Sequence, residues 1–338
     1  MTVNLIKIFL FLWVLVQLSI PCLAQTKATI ILLGNEGKQV TTTDMFDIMQ
    51  KEYHSQPFSD TITYTFTKTE KIDKYNIRYY IGEQRHWAQL WLDDRPIIIY
   101  GHLEPETLVI DSVENSAIYN DVKLFYQQFR KTPMSERNSF LLEHLEKNLN
   151  NPFSFEIGNI YLMQNSSDRI ALTEMKKIFD RQGDKFSKYY DYGEVVGKLN
   201  LILNIDKINI DEYSFLNKSA QIGKLNLPKA KFYLLDFWFM ECAPCRADHK
   251  KIKDNYALFH SKNVEIIGLS IDNGFKDWSQ YLTNNSYSWT NYIIPKGSTL
   301  TDDLSINSYP SYVLLDEDFR YMGLYYNIEH FITTFLKK

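Results

Sequence analysis

The chain has 338 residues, of which 45% are hydrophobic, 23% charged and 15% aromatic, with 3 cysteines. These proportions exclude a disordered tail, a collagen-like repeat and a disulfide-stapled miniprotein, and the length suits two or three domains. With 37 basic against 41 acidic residues the net charge is −4, so the overall field offers no drive toward nucleic acid.

The amino terminus bears on the compartment first. Lys7 is the only charge ahead of Lys27, and residues 8–18 are almost continuously apolar. Pro21 ends that run, and Cys22-Leu23-Ala24 sets a small residue on either side of Leu23. This is the pattern of a signal peptide over residues 1–24, cleaved after Ala24 and directing export to the periplasm or beyond. Two rivals stand beside it: a lipid anchor through Cys22, which the preceding Pro21 disfavours, and a retained anchor, for which the apolar run is short. Cleavage leaves Cys242 and Cys245 as the only cysteines. One pair in so long a chain is not a scaffold of bridges, so its role is read as chemical.

In the mature chain, residues 61–66, 77–81, 87–92, 96–100 and 107–110 are short β-branched or aromatic runs separated by turn residues. Ala88, Leu90 and Leu92 alternate with Gln89, Trp91 and Asp93, the period of a half-buried strand. An antiparallel β-rich domain over 25–115 is the economical reading. From Asn120 the period changes to three or four, through Val122, Phe125 and Phe129, then Leu141, Leu145 and Leu149, then Leu172, Met175 and Ile178. That spacing predicts amphipathic helices over 116–195. Residues 196–224, with Gly197 and Gly223 among Asn and Lys, read as a linker. Trp87, Trp91, Trp278 and Trp289 read as core or interface aromatics.

The last domain, 225–338, opens on the apolar run 232–238. A helix follows Pro244 through Ile252, Tyr256 and Phe259, then come a strand at 264–270, a helix at 275–282 and a strand at 312–315. Alternation of this kind gives an α/β fold around a central sheet. Its chemistry lies in Cys242-Ala243-Pro244-Cys245. Two cysteines so spaced can close a disulfide when the first stands at a helix amino terminus and the second lies one turn in. There the free N–H groups and the helix dipole favour the thiolate of Cys242, which becomes the attacking sulfur, and Cys245 resolves the mixed disulfide. A zinc site would need further Cys or His ligands at suitable spacing, and His249 and His260 on the following helix do not obviously supply them. No glycine-rich phosphate loop, nucleophile elbow or zinc-helix motif occurs.

Asp236-Phe237-Trp238, followed three residues later by Cys242-Ala243-Pro244-Cys245-Arg246, resembles the active-site strand, turn and helix of thioredoxins, and in particular the secreted TlpA/ResA-like thiol-disulfide oxidoreductases. The resemblance implies a thioredoxin-like carboxy-terminal domain, with a mixed sheet flanked by helices behind the β-rich and helical regions. It implies a cis peptide bond before Pro310, a buried Asp236 that takes the proton of Cys245, and a proton-moving acid at Asp248. Glu241 and Lys250 depart from the family, which usually has Trp and Pro at these places. A carboxylate at Glu241 would oppose the Cys242 thiolate and favour a reductant, with Arg246 as a partial offset, unless solvent screens it.

The function so implied is reduction of protein disulfides outside the cytoplasm, in cytochrome c biogenesis or envelope redox upkeep. Its partners would be envelope protein thiols and disulfides and a membrane thiol donor; no nucleic acid, organic cofactor or metal is called for. Two other classes are open. One is an envelope binding protein whose redox pair is secondary. The other is a thiol peroxidase, although Leu235 and Phe239 stand where that family places Pro and Thr ahead of its cysteine.

Overall fold

The computed structural model describes residues 25–33, 40–47, 52–57, 59–67, 71–81, 83–104 and 107–337. The expected signal peptide, with Cys22 and the cleavage site at Ala24, lies outside them. Chain contacts divide the protein into two compact units, Met1–Arg137 and Asn138–Lys338.

Among the described residues the first unit has eight strands: β1 (Gln25–Leu33), β2 (Val40–Asp47), β3 (Glu52–Pro57), β4 (Thr61–Thr67), β5 (Ile72–Ile81), β6 (Gln84–Asp93), β7 (Ile97–Leu103) and β8 (Leu108–Glu114). They form two four-stranded sheets, ordered β4-β1-β7-β8 and β3-β2-β5-β6. All pairs are antiparallel except β1 with β7, which run parallel. Ile30, Ile62 and Ile99 from one sheet share a core with Tyr75, Ile77 and Leu90 from the other, as sheets with one apolar face each must. Ala88, Leu90 and Leu92 take the core side of β6, as their alternation predicts. Trp91 is buried as well, whereas Trp87 is 49% exposed, in a stretch of β6 where Gln84, Arg85 and Gln89 also face water. Helix α1 (Ala117–Lys131) packs on β6, capped by Ser116, and Asp93 Oδ2 accepts its Ile118 N–H at 3.2 Å.

Helix α2 (Arg137–Lys147) starts on the last residue of the first unit and leads into the second, where α3 (Phe153–Asn165) and α4 (Arg169–Gln182) follow. Asp168 caps α4, its Oδ1 accepting the Ile170 and Ala171 N–H groups at 3.0 Å, the service an amino-terminal cap provides. Leu172, Met175 and Ile178 are buried, as their period requires. Residues 196–224, read as a linker, are instead ordered. They hold α5 (Lys198–Asn204) and the two-residue strands β9 (Phe215–Leu216) and β10 (Ile222–Gly223). The glycines hid a helical stripe, because Val195, Val196, Leu199 and Ile202 are all buried. Polar ties hold this helical layer together and bind it to the rest of the unit. Ser166 Oγ donates to the Leu324 carbonyl, Arg169 donates to the carbonyls of Leu203 and Ile205, and Lys198 Nζ donates to Asn307 Oδ1 at 2.9 Å.

The central sheet adds β11 (Phe232–Trp238), β12 (Val264–Ser270), β13 (Thr290–Ile293), β14 (Ser311–Asp316) and β15 (Tyr321–Tyr325), in the order β10-β9-β13-β12-β11-β14-β15. Strands β13, β12 and β11 run parallel, and β14 and β15 are antiparallel to their neighbours. Near-continuous apolar runs such as FYLLDFW in β11 suit strands covered on both faces. The helices around it include α6 (Ala243–Asp254), α7 (Tyr256–Ser261), α8 (Phe275–Asn285) and α9 (Ile328–Phe331). The single helix expected from Pro244 to Phe259 breaks at Asn255, whose φ of −107° and ψ of 10° leave helical geometry. On β12, Gly268 has no room for a side chain, since a Cβ there would strike the Asn291 carboxamide and meet Trp238 Nε1 at 3.3 Å.

Burial lowers the Lys198 ammonium to about 8, with Glu194 opposing the shift. A lysine depressed in the folded state binds fewer protons there than in the unfolded chain between about pH 8 and its ordinary value near 10.4. Stability relative to Lys198→Met therefore rises with pH across that window by roughly 1 kcal/mol per pH unit. Urea melts at pH 7.5, 8.5 and 9.5 measure it, and a constant difference between the two proteins contradicts the assignment.

Candidate active site

Strand β11 ends at Trp238, and the chain turns through Phe239–Glu241 into α6. Three contacts fix that turn: Cys242 N–H donates to the Phe239 carbonyl at 3.1 Å, Ile271 N–H to the Trp238 carbonyl at 3.0 Å, and Met240 N–H to Asp272 Oδ2 at 3.0 Å. Ser270 Oγ holds the same Asp272 oxygen at 2.6 Å. Cys242 is the amino-terminal cap of α6, with Pro244 in its first turn where a missing N–H costs nothing. Its sulfur is joined to Cys245 in a disulfide with Cα atoms 5.2 Å apart, and it accepts the Cys245 N–H at 3.1 Å. Cys245 is fully buried and Cys242 is 4% exposed. The two lie in an apolar cluster with Trp238, Trp278, Leu282 and Ile293.

The Tyr309–Pro310 peptide bond is cis, as the resemblance implies. Tyr309 packs on the cysteine cluster and stands edge-on to Phe239 at 5.5 Å between ring centres. Ser311, directly after Pro310, pairs with Phe237 on β11. Ala243 and Pro244 are exposed, with Phe239, Met240 and Tyr309 half-buried, so the surface around the disulfide is largely apolar.

Asp236 is fully buried on β11, beside Tyr312 of β14 in register. Its Oδ2 lies 2.9 Å from His249 Nε2, and its Oδ1 is buried without a hydrogen-bond partner. His249 Nδ1 lies 3.2 Å from the Tyr287 hydroxyl, which in turn meets the Tyr281 hydroxyl at 3.1 Å. Burial, then the charges of Asp236 and Asp248, push the Tyr312 phenol far up. Sequence reasoning missed His249. The available signal was its place on the buried stripe Cys245, Asp248, His249 and Ile252 of α6, a stripe whose period puts these residues against the sheet.

Asp248 is 6% exposed, and its carboxylate is engaged in holding the fold. Oδ2 accepts the Ile328 N–H at 3.1 Å, at the start of α9, and the Tyr312 hydroxyl at 3.3 Å, while Lys251 Nζ approaches Oδ1 at 3.3 Å. Glu241 is exposed. Arg246, expected to offset it, donates Nη1 to the Met240 carbonyl at 2.6 Å. Among the described residues no group of three or more His, Cys, Asp or Glu side chains is placed to hold a metal ion.

Residues 230–320 match a family model described as thioredoxin-like. The carboxy-terminal domain is a thioredoxin-like domain. No curated protein sequence matches the chain significantly. Among solved structures, the thioredoxin domain of a thiol-disulfide oxidoreductase from Bacteroides vulgatus is 23% identical over 37% of this chain and 90% of its own, with a TM-score of 0.34. A thiol:disulfide interchange protein from a Bacteroides species is 21% identical over 37% and 86%, with a TM-score of 0.33. A thioredoxin-like protein from Bacteroides caccae spans more, 65% of this chain and 83% of its own, at 15% identity and a TM-score of 0.46. The thioredoxin-like domain carries a closely spaced cysteine pair of the kind a redox site uses.

Replacing Asp248 by Ala strands the Ile328 N–H and the Tyr312 hydroxyl in a buried setting, at a cost of about 3 kcal/mol. Asn, which keeps an acceptor oxygen, costs less. Equilibrium urea unfolding of both variants checks this, and an Ala variant within about 0.5 kcal/mol of wild type refutes the anchoring role.

Proposed function

We propose that the protein is an extracytoplasmic thiol-disulfide oxidoreductase that reduces disulfides in exported proteins. The observation that carries this reading is the Cys242–Cys245 bridge at the start of α6, with its first sulfur at the helix cap and its second at the buried first turn. In the dithiol form, the Cys245 N–H and the helix dipole stabilise the Cys242 thiolate. That thiolate attacks one sulfur of a substrate disulfide, and the other substrate sulfur leaves and takes a proton. Cys245 then attacks Cys242 Sγ, releasing the second substrate thiol and closing the internal bridge. The substrate gains two electrons and the protein loses two. The buried carboxylate of Asp236 receives the proton that Cys245 gives up.

Several features support a protein substrate. The exposed Ala243 and Pro244 and the half-buried Phe239, Met240 and Tyr309 offer an apolar margin to an extended chain. The cis Tyr309–Pro310 backbone, with Tyr309 on the cysteine cluster and no N–H on Pro310 to satisfy, would give such a chain a surface to lie on. Glu241 stands in water next to Cys242, where screening limits its pull on the thiolate. The apolar run of residues 8–18 supports export, and a membrane thiol donor would return the spent electrons. Exchange between sulfurs needs no organic cofactor or metal. Among the described residues no helix is long and apolar enough to cross a membrane.

Insulin reduction, followed by turbidity with dithiothreitol as electron source, tests the reading. Wild type accelerates precipitation, Cys242→Ser does not, and Cys245→Ser accumulates a covalent adduct with insulin visible on non-reducing gels. Equal rates from wild type and Cys242→Ser refute it.

A further inference from the structure

The buried polar groups behind the disulfide form a continuous chain. Asp236 Oδ1 is enclosed and unpartnered, Oδ2 meets His249 Nε2 at 2.9 Å, Nδ1 meets the Tyr287 hydroxyl at 3.2 Å, and that hydroxyl meets Tyr281 at 3.1 Å. Asp236 is fully buried and His249 is 1% exposed, whereas both tyrosines are half-buried. Three hydrogen bonds thus lead from an inaccessible carboxylate to side chains that solvent reaches. Trp238 and Trp289 stand edge-on to the imidazole, with ring centres 4.9 and 5.6 Å away, and confine it so that its two nitrogens meet Asp236 and Tyr287.

We propose that His249, Tyr287 and Tyr281 form a proton path linking Asp236 to solvent, by which the proton of Cys245 is exported when the internal disulfide closes. The inference rests on the exchange reading above. As Cys245 Sγ attacks Cys242 Sγ, the Cys245 S–H bond breaks and its proton goes to the open Oδ1 of Asp236. The electron pair of the Cys242–substrate bond leaves on the substrate sulfur. The step starts from an imidazolium beside the carboxylate, with a proton on each ring nitrogen. One stays between Oδ2 and Nε2; Nδ1 passes the other to the Tyr287 oxygen, Tyr287 passes its own hydroxyl proton to Tyr281, and Tyr281 gives its own to water, leaving a protonated Asp236 and a neutral imidazole. One proton enters at Oδ1 and one leaves at Tyr281. When the disulfide is reduced again the sequence runs backward.

The surroundings suit relay by the phenols rather than their ionisation. Burial, then the hydrogen bond to Tyr281, pushes the Tyr287 phenol far up, so it hands on a proton while keeping one. The other ionisable groups close to the path are Tyr312 on β14 and Asp248 and Arg246 on α6. Asp248 is occupied by Ile328 and Tyr312, and Arg246 by the Met240 carbonyl.

The test separates the two chemical steps. The reduced protein is mixed with a fluorogenic peptide disulfide and quenched with acid at intervals, so that mixed disulfide and internal disulfide are counted by mass. Tyr287→Phe forms the mixed disulfide at the wild-type rate but resolves it about tenfold more slowly, with a flattened pH profile and a reduced solvent deuterium isotope effect. His249→Gln slows resolution further, by about a hundredfold. Tyr281→Phe, at the outer end of the path, slows it in the same direction and guards against a folding defect in the inner variants. Resolution at wild-type rate and pH dependence in Tyr287→Phe and Tyr281→Phe, with unchanged melting temperatures, overturns the path alone. A wild type that forms no mixed disulfide overturns both the path and the exchange reading.

Discussion

A carboxylate taken wholly out of water needs a partner, and among the described residues Asp236 finds its hydrogen bond in His249. Removing an ion from solvent costs several kcal/mol even after the surroundings relax, and leaving it alone in the interior is a strongly destabilising arrangement. The 2.9 Å contact therefore does more than satisfy two polar atoms. It joins the central strand β11 to the helix that begins at Cys242, one turn beyond Cys245. The position of α6 along the strand, and with it the position of the cysteine turn, follows from that pairing.

The same helix face carries three functions in succession. Cys245 supplies the resolving sulfur of the proposed exchange, His249 holds the buried carboxylate, and between them Asp248 fastens the amino terminus of α9 and the Tyr312 hydroxyl. Asp272 and Ser270 tie the turn from the far side of β12. A redox pair must open and close without the surrounding backbone wandering, since sulfur exchange depends on the line of attack as well as on thiolate character. Anchors on both sides of the turn give it that rigidity, and Glu241 and the apolar residues beside the disulfide are left open.

What could be read from the sequence was local. Cys242 and Cys245 announce a bridge because their spacing matches one helical turn, whereas the cis bond before Pro310 was expected only through the resemblance to thioredoxins. The burial of Asp236 was expected from the resemblance to thioredoxins, but its partner was not, because His249 comes thirteen residues later on another element. The period of α6 held the clue, and the chemistry of neither residue alone revealed it. Strands β1, β2 and β3 were not singled out; for β2 and β3 the reason is that VTTTDMFD and EYHSQP are polar along much of their length, as strands with a solvated face can be. The helix within 196–204 was masked by Gly193 and Gly197, although its buried valines and leucine kept the helical period.

The most direct test of the account is the redox equilibrium of Cys242 and Cys245 in defined glutathione or dithiothreitol buffers, read by alkylation and mass shift. The account predicts a reversible two-electron transition near the reducing value of thioredoxins, about −270 mV. A pair that never opens, or one that titrates near −120 mV as a strong oxidant does, would contradict it.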